Sequence, residues 1–282
     1  MDVLIIGGSR FVGPLLARRL LEGGHKVTLF NRGRIRSAYA GAHFIKGDRD
    51  EGFGIDKRFD TVIDMCAYAG EQTRSAIDQL GFDFFIHMGT AAAYKKSEAF
   101  PLREDSPIGD WPLWGEYNRG KAECERVLER SGVEYASVRP VYILGPGNYA
   151  DREHFIYSRL KAGRRITLPG NGEAVIQFAF AKDVAQSIAL IAEKKARGAY
   201  NCAGDELITL RGLVEQMARI AGRQADLATD PAKDGDRFDE SEFPFANENL
   251  ICSNDKIKKL GAGFSPLIET LEADYASHYS RI

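Results

Sequence analysis

Apolar residues in the first half of the chain fall into short unbroken runs, separated by longer stretches in which they recur every three or four positions. The runs "DVLII", "KVTLF", "HFIKGD", "FDTVIDM", "FDFFIHM" and "EYASVRP" are too short for helices and rich in β-branched and aromatic residues, so each reads as a strand. Helical patterns lie between them. "FVGPLLARRLLEGG" places Val12, Leu15, Leu16, Leu20 and Leu21 at helical spacing, holds Pro14 near its first turn and stops at Gly23-Gly24. "EQTRSAIDQL" and "EYNRGKAECERVLERSG" predict two more helices, the first short and polar. Strand and helix alternating over short connections specify an α/β fold. The expected form is a doubly wound parallel sheet, covered on both faces and joined by right-handed crossovers.

Beyond Gly145 the pattern changes. "GPGNYADREHFIYSRLKAGRRITLPGNGEAV" sets turn signals around one helix, while "AKDVAQSIALIAEKK" and "AYNCAG" predict a return to the main sheet. "TLRGLVEQMARIAG" and "SPLIETLEADYASHY" are helices. Residues 226–248 hold eight Asp or Glu against Lys233 and Arg237, which reads as a solvated loop. The expected division is residues 1–143 plus 174–203 in the main domain and 144–173 plus 204–282 in a smaller one.

The charge balance, 38 basic against 40 acidic residues, argues against a surface built mainly for nucleic acid. Cys66, Cys124, Cys202 and Cys252 are scattered, with no CxxC pair and no His at ligand spacing. Neither a metal site nor a disulfide framework is indicated, and a reducing cytoplasm is expected. No signal-peptide pattern opens the chain, and no run approaches the roughly 20 apolar residues of a membrane helix.

Candidate chemistry begins at "VLIIGGSRFVGP". A strand ending in glycines and entering a helix N-terminus suits a pyrophosphate, because free backbone N–H groups and the positive helix end face the anion. Gly7 suits the tight turn and Gly13 a close helix–sheet approach. Arg10 stands where another glycine is usual; taken alone, the stretch serves equally as a turn with no ligand. The second strand ends in Asn31-Arg32-Gly33-Arg34 with no carboxylate for a ribose 2′-hydroxyl. Arg32 would instead pair with a 2′-phosphate, which favours NADP(H) over NAD(H), unless the arginines merely decorate a loop.

Tyr117 and Lys121 in "YNRGK" share one helix face. A lysine ammonium, helped by an oxidised nicotinamide, would lower the phenol from its ordinary pKa near ~10 and fit it for proton transfer. Thr90, in "FFIHMGTAAAY", would lie at the carboxyl edge of the sheet and orient a substrate oxygen toward Tyr117. The bland readings are a chance helix-face pair and a Thr that finishes a strand.

These motifs, in this order, resemble the short-chain dehydrogenase/reductase superfamily on its extended branch, related to epimerases and dehydratases of nucleotide sugars. The resemblance spans nearly the whole chain. It implies a Rossmann dinucleotide-binding domain with a smaller C-terminal substrate domain. Thr90, Tyr117 and Lys121 match its catalytic set. Gly7, Gly8, Ser9, Arg10, Phe11, Val12 and Gly13 match its glycine loop. The "KGDRDE" stretch puts Asp48 near adenine, Cys66 and Ala67 line the cofactor wall, and "VRPVYILGPGN" supplies Pro140. The glycine loop is most similar to an atypical subgroup, often written GGTRFxG, which also includes chloroplast stem-loop-binding proteins that associate with RNA. In that setting Arg10 adds charge near the cofactor phosphates, or packs outward onto an acidic neighbour.

Two departures narrow the activity. Ala91 and Ala92 replace the Asp-Glu pair of the dehydratases, and Ile176-Gln177 replace an Arg-Asp pair common in the extended branch. The resemblance implies a soluble oxidoreductase: a ketoreductase using NADP (NAD possible) on a nucleotide-linked sugar, with an NAD-dependent epimerase as the alternative. A non-catalytic RNA-associated protein on the same fold, supported by the basic runs "NRGRIR" and "KAGRR", is the rival from another class. The helices at 72–80 and 117–131 are where such proteins pair as a homodimer.

Overall fold

A computed structural model describes residues 1–34 and 41–282; the end of the basic run "NRGRIR", residues 35 and 36, lies outside them. The first strand, β1 (Asp2–Ile6), enters α1 (Val12–Glu22) and then β2 (Lys26–Asn31), β3 (His43–Lys46) and β4 (Arg58–Asp64). Next come α2 (Gly70–Gln79), β5 (Gly81–Met88), α3 (Gly115–Ser131) and β6 (Tyr135–Pro140). With β10 (Gly198–Cys202) these strands form one seven-stranded sheet in the order β10-β6-β5-β4-β1-β2-β3. Every pairing in it is parallel. From β1 the chain winds outward through β2 and β3 on one side and through β4, β5 and β6 on the other. This leaves a crevice at the carboxyl ends beside β1, where open α/β sheets bind ligands.

Alternation along β1 divides the molecule into two cores. Val3 and Ile5 face a layer that includes Leu16 and Leu20 of α1 and Val184 and Ile188 of α5 (Ala181–Lys194), while Leu4 and Ile6 face Ala76 of α2 and Leu128 of α3. All four β1 side chains are buried, which is why the run is continuously apolar. The outward faces of α2 and α3 carry Glu71, Arg74, Asp78, Glu116 and Arg119.

Pro140 ends β6, and the chain turns at once into β7 (Tyr142–Leu144) of a second sheet. There β7 pairs in parallel with β9 (Val175–Phe180), which pairs antiparallel with β11 (Leu207–Thr209). Helix α4 (Glu153–Lys161) and β8 (Ile166–Pro169) lie between them in sequence, and β8 pairs with β12 (Leu227–Asp230). Helix α6 (Leu210–Ile220) packs against α4 and α8 (Leu267–Ser277), while α7 (Asp255–Leu260) packs on β10 and α5.

The segment 226–248 is not a solvated loop throughout. It supplies β12, and it buries Phe243, Phe245 and Ala246. Phe245 packs edge-on against Tyr142, with centroids 5.0 Å apart, and Phe178, at 5.3 Å. Three apolar side chains among many carboxylates are enough to anchor the segment, because each recovers its full burial energy. Among the described residues no helix is long and apolar enough to cross a membrane, and no group of three His, Cys, Asp or Glu side chains is placed to hold a metal.

Candidate active site

The glycine loop closes the gap between β1 and α1. Gly7 and Gly8 take φ of 80° and 67°, which favours glycine, and the Gly7 N–H donates to Phe30 O at 2.9 Å. A Cβ on Gly13 would lie 2.1 Å from Gly8 O, so the first turn of α1 rests directly on the loop. No side chain caps that helix and no acidic residue sits in its first turn. Its N–H groups and positive end are left for an anion, so the loop fits a dinucleotide pyrophosphate.

The loop forms one wall of a cleft of about 660 Å³. Of the glycine-loop residues singled out from sequence, Gly7, Gly8, Ser9, Arg10, Phe11 and Val12 line it, and Gly13 lies behind. Asn31, Arg32, Asp48, Cys66 and Pro140 also line it; Ala67 does not and is wholly buried. Arg10 is exposed over the cleft. Asn31 is turned inward, its Oδ1 accepting the Gly33 N–H at 2.9 Å.

Beneath this wall sits an ion pair absent from the sequence reading. Arg49, nearly buried, donates to Asp64 Oδ1 at 2.8 Å, to Gln72 O at 2.7 Å and to Cys66 Sγ at 3.5 Å. The Cys66 N–H also donates to Asp64 Oδ1, at 3.0 Å. Burial, with the Asp64 charge, pushes the Cys66 thiol up to about 11 against the pull of Arg49, so it is not a thiolate at neutral pH. Arg49 and Asp64 thus lock the ends of β3 and β4 under the cleft floor.

Thr90, Tyr117 and Lys121 come together on the opposite wall. Thr90 follows β5 and caps a short turn, its Oγ1 accepting the Ala92 N–H at 3.1 Å, and it lines the cleft with Tyr117. Ala91 and Ala92 are buried in that turn. Tyr117 stands on the first turn of α3 with 41% of its surface open to the cleft. Lys121, one turn later, is buried; its Nζ donates to Met88 O at 2.7 Å and lies 4.8 Å from the centroid of the Tyr68 ring.

The electrostatics differ in one respect from the sequence expectation. Burial raises the Tyr117 phenol above its ordinary value, while the Thr90 hydroxyl and the Arg152 charge lower it; Glu240 adds to the rise. Lys121 is engaged at Met88 and Tyr68, and burial lowers its own pKa. Arg152, whose charge lowers the phenol, lies 35 positions further along the sequence. It reaches the cleft at the start of α4, 5.3 Å from the Tyr142 ring centroid and donating to Ile143 O at 3.3 Å. Its Nε has no partner among the described residues. Trp114, Tyr142 and Tyr149 complete this far wall, and no local signal marked them or Arg152.

Ile176 and Gln177 do not line the cleft. Ile176 is buried; Gln177 Nε2 donates to Gly204 O at 3.0 Å, and its Oε1 accepts the Cys252 N–H at 2.7 Å. Arg139 of the Arg-Pro segment is equally structural, gripping Glu125 at 2.6–3.1 Å with both side chains almost wholly buried.

UDP-glucuronic acid 4-epimerase from Bacillus cereus, in complex with UDP-glucuronic acid and NAD, superposes with a TM-score of 0.80 at 18% identity, covering 100% of both chains. UDP-glucose 4-epimerase from Thermotoga maritima, solved with UDP-glucose, superposes at 0.79 and 19% identity, covering 100% of this chain and 99% of that one. At these identities the likeness is one of fold. The expected preference for NADP(H) is overturned. Solved structures of this fold carry NAD, and in this chain Arg32 is turned to Asp48 at 3.8 Å. The carboxylate lies beside the guanidinium meant for a 2′-phosphate and would itself repel one.

A protein named chloroplast stem-loop binding protein of 41 kDa b, from Arabidopsis thaliana, is 31% identical over 305 residues, or 99% of this chain and 79% of that protein. The family profile described as NAD dependent epimerase/dehydratase matches residues 3–82 and 74–203. With its parallel sheet, glycine loop and Thr-Tyr-Lys wall, this chain belongs to the NAD dependent epimerase/dehydratase family.

Proposed function

We propose that this protein is an NAD-dependent epimerase acting on a nucleotide-linked sugar, in place of the net reduction by NADPH expected from sequence. One observation carries the reading: Thr90, Tyr117 and Lys121 meet on the cleft wall that faces the glycine loop. When bound, NAD supplies a reversible hydride acceptor at its nicotinamide. Tyr117 takes the proton of the sugar hydroxyl as the carbinol becomes a ketone, and returns it when the carbinol re-forms with inverted configuration. Thr90 hydrogen-bonds the same oxygen and holds it toward the phenol. Lys121, fixed by Met88 O, would help hold the nicotinamide ribose of a bound NAD. Arg152 meets the substrate's phosphate with charge-assisted bonds and lowers the pKa of Tyr117.

The test is direct. The purified protein is denatured and its released cofactor identified by mass. The native protein is then incubated with UDP-sugars and followed by NMR and by absorbance of reduced nicotinamide. Interconversion of epimers with no net change in absorbance is expected. Stoichiometric consumption of added reduced cofactor overturns the reading. Arg152→Ala should raise KM for the nucleotide sugar more than it lowers kcat.

A second reading follows the name of the Arabidopsis relative and treats the chain as an RNA-associated protein. The "KAGRR" run offers it little. Lys161 donates to Ser280 O at 2.9 Å, and Arg165 pairs with Asp226 at 3.0 Å, leaving Arg164. Stem-loop RNA binding that falls steeply with added salt and survives Tyr117→Phe would favour it.

A further inference from the structure

We propose that Phe11 and Tyr149 form an aromatic clasp that holds the loop after β7 across the dinucleotide cleft and retains the cofactor between turnovers. The inference rests on the reading of the cleft as an NAD site and gives a role to the Phe11 that follows Arg10 in the loop.

Phe11 sits at φ 54°, in the left-handed region that a bulky residue rarely adopts. Such conformations cost about 1–3 kcal/mol and persist where the surroundings enforce them. Here the enforcement comes from the smaller domain. The Phe11 ring is 9% exposed, and its Cε2 lies 3.7 Å from where a Cβ on Gly145 would stand. The absence of a side chain on Gly145 lets the two loops approach.

Tyr149 is the other half. It is 67% exposed, so it does not serve the core, yet its position is specified. Its ring meets Phe11 edge-on, with centroids 6.3 Å apart and planes at 87°. It lines the cleft together with Tyr68, which follows β4 on the other side of the crevice and whose phenol is raised by burial and by the nearby Tyr149. The loop that carries it is braced by Asn148, whose Nδ2 donates to Ile143 O at 3.0 Å and whose Oδ1 accepts the Ala150 N–H at 3.0 Å. One loop of the smaller domain thus touches the glycine loop at one end and lies near the β4–α2 connection at the other. A pyrophosphate on the N-terminus of α1 would lie next to Phe11, beside this pair, so parting the pair would ease its release. Retention suits a reaction that lends hydride out and takes it back. A net reductase, which must exchange its cofactor each cycle, gains nothing from it.

The experiment measures release of NADH from the full-length protein by stopped-flow fluorescence, chasing with excess NAD, for wild type, Tyr149→Ala and Tyr149→Phe. Tyr149→Ala should release NADH about tenfold faster, the scale of one lost aromatic pair and its burial. Tyr149→Phe, which keeps the ring on Phe11 but loses the phenol near Tyr68, should fall between. Unaltered thermal melting of the ligand-free variants shows that the fold is intact. Equal release rates in wild type and Tyr149→Ala overturn the clasp while leaving the NAD site standing. No NADH binding by wild type overturns both.

Discussion

Replacing Glu153 by Gln should alter how stability depends on pH, and the structure sets the size of the change. Glu153 begins α4 and is 2% exposed. One carboxylate oxygen accepts the Gly145 N–H, and the other has no partner among the described residues. Tyr157 and Tyr279 stand against it from α4 and the C-terminal turn. Burial pushes the carboxyl up to about 7, from an ordinary value of 4.5. The Gly145 N–H, its own N–H and the Arg152 charge pull the other way, and Asp274 adds to the rise. Between those two pH values the folded protein keeps a proton that the unfolded chain has released, so stability falls as pH rises through the window and the loss is complete above it. A gap of about 2.5, at about 1.4 kcal/mol for each pK unit, makes the loss roughly 3 kcal/mol. Glutamine keeps the shape and still accepts the Gly145 N–H but cannot ionise. Urea denaturation across the pH range should show Glu153→Gln gaining roughly 3 kcal/mol on wild type between pH 4.5 and neutrality. Parallel pH profiles for the two proteins would refute the reasoning.

Three further outcomes are expected. Tyr117→Phe should lower turnover by about 10²- to 10⁴-fold while leaving NAD binding in place, as read by kcat and by cofactor titration; retained turnover would remove the phenol from the mechanism. Gly13→Ala forces a Cβ to within 2.1 Å of Gly8 O, so dinucleotide affinity should collapse in a calorimetric titration even if the chain still folds. Glu125→Ala strands the buried Arg139 guanidinium and should cost about 3–5 kcal/mol in chemical denaturation, against a small effect for the exposed pair Arg165–Asp226.

Much of the cleft was legible because its signals are local. Tyr117 and Lys121 had to share a helix face, and Gly13 had to meet the loop, once the strand and helix were recognised. Arg32 shows where local reading fails. Its charge pointed to a 2′-phosphate, but the carboxylate that meets it, Asp48, belongs to the end of the neighbouring strand. Lys121 likewise meets a partner that no local spacing shows, because Met88 O comes from β5. The acidic segment misled through its average composition, which concealed the three apolar residues that anchor it.

The sequence by itself determined the parallel sheet, the turn at Gly7 and Gly8 and the placing of the Tyr–Lys pair, since each depends on backbone periodicity over a few residues. Only the tertiary structure decided which charge meets which. Arg152 enters the cleft of Tyr117, Arg49 locks Asp64, and Tyr149 reaches Phe11 because crossovers bring distant loops to one sheet edge. Electrostatic and aromatic contacts depend on distance in space, and no spacing along the chain encodes it.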